Sequence, residues 1–156
     1  MDKLSKEQRS AVMRQVRRIN TAPELVVRRG LHHRGLRFNV GDSSLPGSPD
    51  MSFPRFRAVV FVHGCFWHGH RCRDSLSPRS NAEFWSAKIT ANQVRDAKKE
   101  ALLLNSGWRV FTVWECCLVP GVSCDQLLDN LACAIRNEAA FLPPKHSRMA
   151  HVPIGE

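Results

Sequence analysis

The chain has 156 residues, 43% of them hydrophobic, with six cysteines and a formal net charge of +9. That length supports one ordinary core without disulfide help, and no stretch offers the roughly 20 apolar residues a membrane span needs. The charged opening Met-Asp-Lys-Leu-Ser-Lys-Glu-Gln lacks the apolar centre of a signal peptide, so the expected compartment is the cytoplasm, where cysteines serve as free thiols or metal ligands rather than disulfides.

Four boxes of Ser or Thr followed three residues later by Glu or Gln mark helix starts, because the paired side chains satisfy orphan amides reciprocally. They are Ser5/Gln8, Thr21/Glu24, Ser80/Glu83 and Ser123/Gln126. They predict helices near 6–17, 22–34, 81–105 and 124–138, the second entered through Pro23 and stopped by Gly35. Between them, β-branched and aromatic runs predict strands at Arg37 to Val40, Met51 to Phe53, Ala58 to His63 and Arg109 to Trp114. The runs at Ala58 to Val62 and at Arg109 to Trp114 are apolar enough to predict central strands covered on both faces. Helix, three strands, helix, strand, helix is the order of a three-layer α/β domain with a mixed sheet. One domain over residues 1–142, opened by a basic helix, is followed by an expected flexible tail over 143–156.

The positive charge is concentrated at the amino end. Residues 1 to 37 carry ten Lys/Arg against three acids, whereas residues 101 to 156 carry four against five. Such a stripe suits a polyanion, because each neutralised phosphate releases condensed counterions. A merely solubilising surface would look the same by composition.

Chemistry concentrates in His63-Gly64-Cys65-Phe66-Trp67-His68-Gly69-His70-Arg71-Cys72. Cys65, His70 and Cys72 offer two soft thiolates and an imidazole within eight residues, the donor set of tetrahedral zinc. Cys116, or its neighbour Cys117, would close the shell and make the site structural. Cys65 and Cys116 both follow predicted strands, which adjacent pairing would bring together. Cys124 and Cys133 read as helix-packing thiols. Phe66 and Trp67, inside the stapled loop, either pack inward or act as rigid wedges between base steps, with Met13 in the basic first helix as a further wedge. Asp50 ends the loop Ser43 to Pro49 and begins a short strand. It is either an Asx turn residue or a carboxylate that, with one backbone carbonyl, holds magnesium.

A Pro-Asp followed by a second metal-bearing strand outlines a restriction-endonuclease-like core, although Phe61-Val62-His63 stands where that superfamily usually has an acid, any residue, and Lys. With His-Gly-Cys-Phe-Trp-His, Leu45-Pro46-Gly47, Pro49-Asp50, Phe84-Trp85, Asp96, Gly107-Trp108-Arg109-Val110 and Trp114-Glu115-Cys116, nearly the whole chain closely resembles the Vsr mismatch endonucleases. The resemblance implies a restriction-endonuclease-like fold with a zinc-stapled loop. It also implies Mg²⁺ at Asp50 and the carbonyl of Val62, where the family usually has Thr, and His68 as general base. His63, Glu24 and Asp96 would support the site, and Cys65, His70, Cys72 and Cys116 would hold Zn²⁺. Phe66, Trp67 and Met13 would wedge beside a G·T mismatch in double-stranded DNA whose T arose from deaminated 5-methylcytosine, with the nick on the 5′ side of that T to start very short patch repair. The enzyme would work on the nucleoid, as a monomer. Two rivals are a non-catalytic zinc-stapled DNA-binding module and a zinc hydrolase of small molecules.

Overall fold

Thr21 starts the first helix, α1 (Ala22–His33), as the sequence predicts: its hydroxyl accepts from the Glu24 amide at 3.4 Å. The reciprocal bond is displaced by one residue, the Glu24 carboxylate taking the amide of Asn20 at 2.9 Å. Gly35, at φ +81°, then turns the chain out of the helix, its N–H donating to the His32 carbonyl. The computed structural model describes residues 7, 8, 10, 11, 19–72 and 81–136. Met13, Ser5, Ser80, most of the expected helix over 6–17 and the expected tail lie outside the described residues.

The strands are β1 (Asn39–Val40), β2 (Met51–Phe53), β3 (Ala58–His63) and β4 (Arg109–Trp114), hydrogen-bonded in that order. β1, β2 and β3 are antiparallel, and β4 joins β3 in parallel. The remaining helices are α2 (Ala82–Asn105), which crosses from β3 to β4, and α3 (Val122–Ile135). The result is a four-stranded mixed sheet flanked by helices.

Three local expectations change. β1 is two exposed residues rather than four, although the Phe38 and Phe53 rings still meet just beyond its start, centroids 5.5 Å apart. β4 lies at the edge of the sheet among the described residues; an apolar run reports cover on two faces and says nothing of a lateral neighbour. The helix starts also shift. Asn81 caps α2 in left-handed backbone, and α3 begins two residues early, at Val122, where the amides of Cys124 and Asp125 reach back to the Gly121 carbonyl. Ser123 is therefore inside the first turn rather than capping it.

The two faces of β3 differ. Val27 and Leu31 of α1 and Leu127, Leu128, Leu131 and Ile135 of α3 pack with Met51, Phe53, Ala58, Val60 and Val113 into one apolar core. On the other face, under α2, Val59 and Leu103 are fully buried. Residues 58–60 are buried and 61–63 only half-buried, so the strand emerges from the core as it reaches His63.

Candidate active site

Parallel pairing of β3 with β4 sets His63 beside Trp114, so the segments that follow both strands leave the sheet together. There the donor atoms of Cys65, His70, Cys72 and Cys116 all lie within 4.8 Å of one another. His70 Nδ1 is 3.6 Å from Cys116 Sγ, close to the roughly 3.5–3.8 Å between ligands of a tetrahedral zinc with bonds of about 2.0–2.3 Å. Burial pushes the Cys65 thiol upward and the Cys116 thiol up to about 12. A cation would reverse that preference, since thiolate rather than thiol is the metal ligand. The cluster can hold a metal ion, and four protein donors leave no open position for a small-molecule hydrolase. Cys117 Sγ lies 3.9 Å from Cys116 Sγ but outside the four-donor group. All six cysteines are free thiols.

The loop that joins these donors is held by its surroundings. Glu115 accepts the Cys65 amide at 2.9 Å. Asn92 of α2 donates to the Trp67 carbonyl at 2.9 Å and Gln93 to the His68 carbonyl at 3.2 Å. Gly69 adopts φ +70°, and a Cβ there would lie 2.5 Å from Gln93 Nε2 and 2.7 Å from Ile89 Cγ2, so the glycine that interrupts the His-rich run lets α2 approach. Phe66 and Trp67 stand edge to face at 5.1 Å and both meet Trp85 of α2, at 5.2 and 5.9 Å. They are half-buried and belong to this aromatic cluster rather than to the main core.

A second cluster faces α2. His63 and His68 stack in parallel with centroids 3.8 Å apart, and His68 Nδ1 is 2.6 Å from Asp96 Oδ2. An ionised carboxylate only accepts, so Nδ1 carries the hydrogen of that bond and a neutral His68 keeps its lone pair on Nε2. Burial, followed by the neighbouring His68, lowers His63 to about 4, so it is a neutral ring at cellular pH. Burial pushes Asp96 upward, but the His68 hydrogen bond and the surrounding positive groups outweigh it and leave the carboxyl lowered.

Asp50 is not capping its own turn. Its Oδ2 accepts the Val62 amide at 2.7 Å, twelve residues on and across the sheet. β2 begins only at Met51, paired with Val60, so it supplies no partner at Val62. In extended backbone the N–H and C=O of one residue leave the strand on the same side, which turns the Val62 carbonyl toward Asp50 as well. Burial lifts Asp50 to about 6 against the opposing Val62 hydrogen bond, and the Glu24 carboxylate adds to the rise. Glu24 is only 4% exposed and pairs with Arg28 at 2.9 Å.

The structure thus gathers Asp50, Val62 and Glu24 on one side, His63, His68 and Asp96 on the other, and the Cys/His group beside them. Sequence reasoning missed Arg28, although its i,i+4 spacing from Glu24 is an ion-pair signal. It also gave no role to Glu115 or Trp85, whose partners are distant in sequence.

The family described as "DNA mismatch endonuclease Vsr" matches residues 1–74. The chain is 54% identical over 115 residues to the type II nicking enzyme V.XorIIP of Xanthomonas oryzae pv. oryzae, covering 74% of this chain and 85% of that protein. It is 39% identical over 136 residues to the type II nicking enzyme V.NmeAIP of Neisseria meningitidis, covering 87% and 97%. With the DNA mismatch endonuclease Vsr of Escherichia coli it shares 44% identity over 113 residues, 72% of each chain. Similarity of that extent shows that this chain belongs to the Vsr family of DNA mismatch endonucleases.

Proposed function

We propose that the protein nicks one strand of double-stranded DNA on the 5′ side of the T of a G·T mismatch, the lesion left by deaminated 5-methylcytosine, and so starts very short patch repair. The observation that carries this reading is the Asp50 carboxylate on the Val62 amide at the end of β3, together with a His68 imidazole oriented by Asp96.

Asp50 and the Val62 carbonyl are hard oxygen donors on one side of a strand end, a donor set that fits Mg²⁺ completed by waters and phosphate oxygens. When bound, Mg²⁺ supplies charge stabilisation to the phosphate oxygens and to the departing 3′ oxygen. His68 Nε2 takes the proton of the attacking water as the water oxygen bonds to phosphorus and the P–O3′ bond breaks, and the departing oxygen takes a proton from solvent, leaving a 5′ phosphate and a 3′ hydroxyl. Asp96 holds the ring with Nε2 outward and offsets the imidazolium charge. His63 backs the ring as a neutral surface. Glu24 and Arg28 fix the far side of Asp50.

Cys65, His70, Cys72 and Cys116 would hold Zn²⁺ as a staple for the wedge loop. Phe66 and Trp67, with Met13 from the basic arm, would enter the duplex. A mismatched step costs less to unstack, so the wedge selects it before any base edge is read. The mixed sheet with helices on both faces is consistent with a restriction-endonuclease-like core, organised as one domain over 1–142 with a tail and acting as a monomer in the cytoplasm.

The test is a duplex carrying one G·T pair, incubated with and without added Mg²⁺ beside its G·C counterpart. The expected product is a single nick 5′ of the T, only with magnesium and only in the mismatched duplex. Equal cutting of the G·C duplex, or cutting without magnesium, would overturn the reading.

A further inference from the structure

Gly47 is constrained by a residue far along the chain. It adopts φ +78°, and a Cβ there would lie 2.6 Å from Cδ, 2.9 Å from Cγ and 3.0 Å from Cβ of Lys99. The hydrocarbon stem of Lys99 therefore lies flat on the turn that leads, three residues later, to Asp50. The same lysine is one helical turn beyond Asp96 on α2 and lines a cleft with Phe61, His63, Asp96 and Thr112. It is half-buried, and the ion pairs found among the described residues do not include it. Ordering a lysine costs on the order of 2 kcal/mol of rotamer freedom, which the packing of its stem on Gly47 has to offset. A side chain of the helix that carries Asp96 thus reaches across to the loop that carries Asp50.

We infer that Lys99 is a positioning residue for strand nicking, a strap whose stem packs the Asp50 loop against α2 and whose ammonium fixes the Asp96 side of the cleft. The inference rests on the roles of Asp50 and His68 proposed above. A carboxylate and a base that must act on one phosphate come here from different elements, and a displacement of about 1 Å between them is enough to cost on the order of a hundredfold in rate. Gly47 is the counterpart of the strap, since any side chain there would displace the stem.

The test uses the full chain as purified with its metal. Lys99→Ala, Lys99→Met and Lys99→Arg are compared with the unaltered protein in single-turnover nicking of a G·T duplex over a magnesium titration, alongside duplex Kd and Tm. Lys99→Ala should raise the half-saturating magnesium concentration on the order of tenfold at unchanged duplex Kd. Lys99→Met, which keeps the stem, should return the magnesium dependence to normal while the maximal rate stays low, and Lys99→Arg should restore the rate. Wild-type behaviour of both Ala and Met, or losses that follow Tm alone with no rescue by Met or Arg, would overturn the inference. Asp50→Ala run in parallel separates the two claims. If it nicks normally, the site reading fails and takes the strap with it; if it is inactive while the Lys99 variants are normal, only the strap fails.

Discussion

Two groups of donors sit around the end of β3 and differ in the chemistry that decides what a metal does. Cys65, His70, Cys72 and Cys116 are soft donors gathered within 4.8 Å, two of them buried, with a protein ligand for each tetrahedral position. Asp50, whose Oδ2 accepts the Val62 amide at the end of a strand, offers a hard oxygen near the His68–Asp96 pair, and in the proposed function it holds Mg²⁺ with the Val62 carbonyl in an incomplete shell. A filled soft shell holds structure, and an incomplete hard one leaves room for substrate. Proximity in sequence is therefore a poor guide to which residues work together, since His68 and His70 flank one glycine yet face different clusters.

Breaking the hard cluster should have the largest effect. Asp50→Ala is expected to lower the nicking rate by about a thousandfold or more, while mismatch binding, measured by gel shift, stays largely intact. Breaking the soft cluster should act on the fold instead. Cys72→Ser should lose its bound metal, read by elemental analysis, and about 2–5 kcal/mol of stability, with activity falling only as the protein unfolds. Normal stability with full metal would show that Cys72 is not a ligand.

The aromatic pair between the clusters sharpens the comparison. Phe66→Ala with Trp67→Ala should bring the affinities for G·T and G·C duplexes closer by roughly 1–3 kcal/mol. An unchanged preference would make the cluster with Trp85 plain packing.

The smallest effect is a pH dependence. Asp50 is raised from 3.8 to about 6, so between those values the folded protein binds a proton that the unfolded chain has released. The stability this group contributes is fully present below about pH 4 and is lost as pH rises through 6. Asp50→Asn escapes that loss. Without added magnesium it should be more stable than the unaltered protein at pH 8 by up to about 3 kcal/mol, the gain vanishing by pH 4 in thermal melts. In activity, the acid limb near pH 6 should move lower as magnesium rises, because metal and proton compete for the carboxylate.

Much of this arrangement was legible from the chain. Thr21 and Glu24 fixed the start of α1, apolar runs located β2, β3 and β4, and the spacing of Cys65, His70 and Cys72 marked the soft cluster. The adjacent pairing of β3 and β4 that brings up Cys116 was a correct geometric expectation. What escaped the sequence is what depends on lateral or distant neighbours: the edge position of β4, the packing of Lys99 on Gly47, and the grip of Glu115 on the Cys65 amide. Periodicity reports which faces are covered. It carries no information about which residue fifty positions away does the covering. The hydrogen bond from Val62 to Asp50 is of the same kind, since a Pro-Asp in a loop reads first as a local turn.

In the proposed function, the metal held by the cysteines is not the one that does the chemistry. The most direct test is one preparation of Asp50→Ala, assayed for zinc content, for affinity to a G·T duplex and for nicking in magnesium. The expected result is one zinc per chain, as in the unaltered protein, with near-normal duplex affinity and no nicking. Persistent nicking, or loss of zinc together with activity, would contradict it.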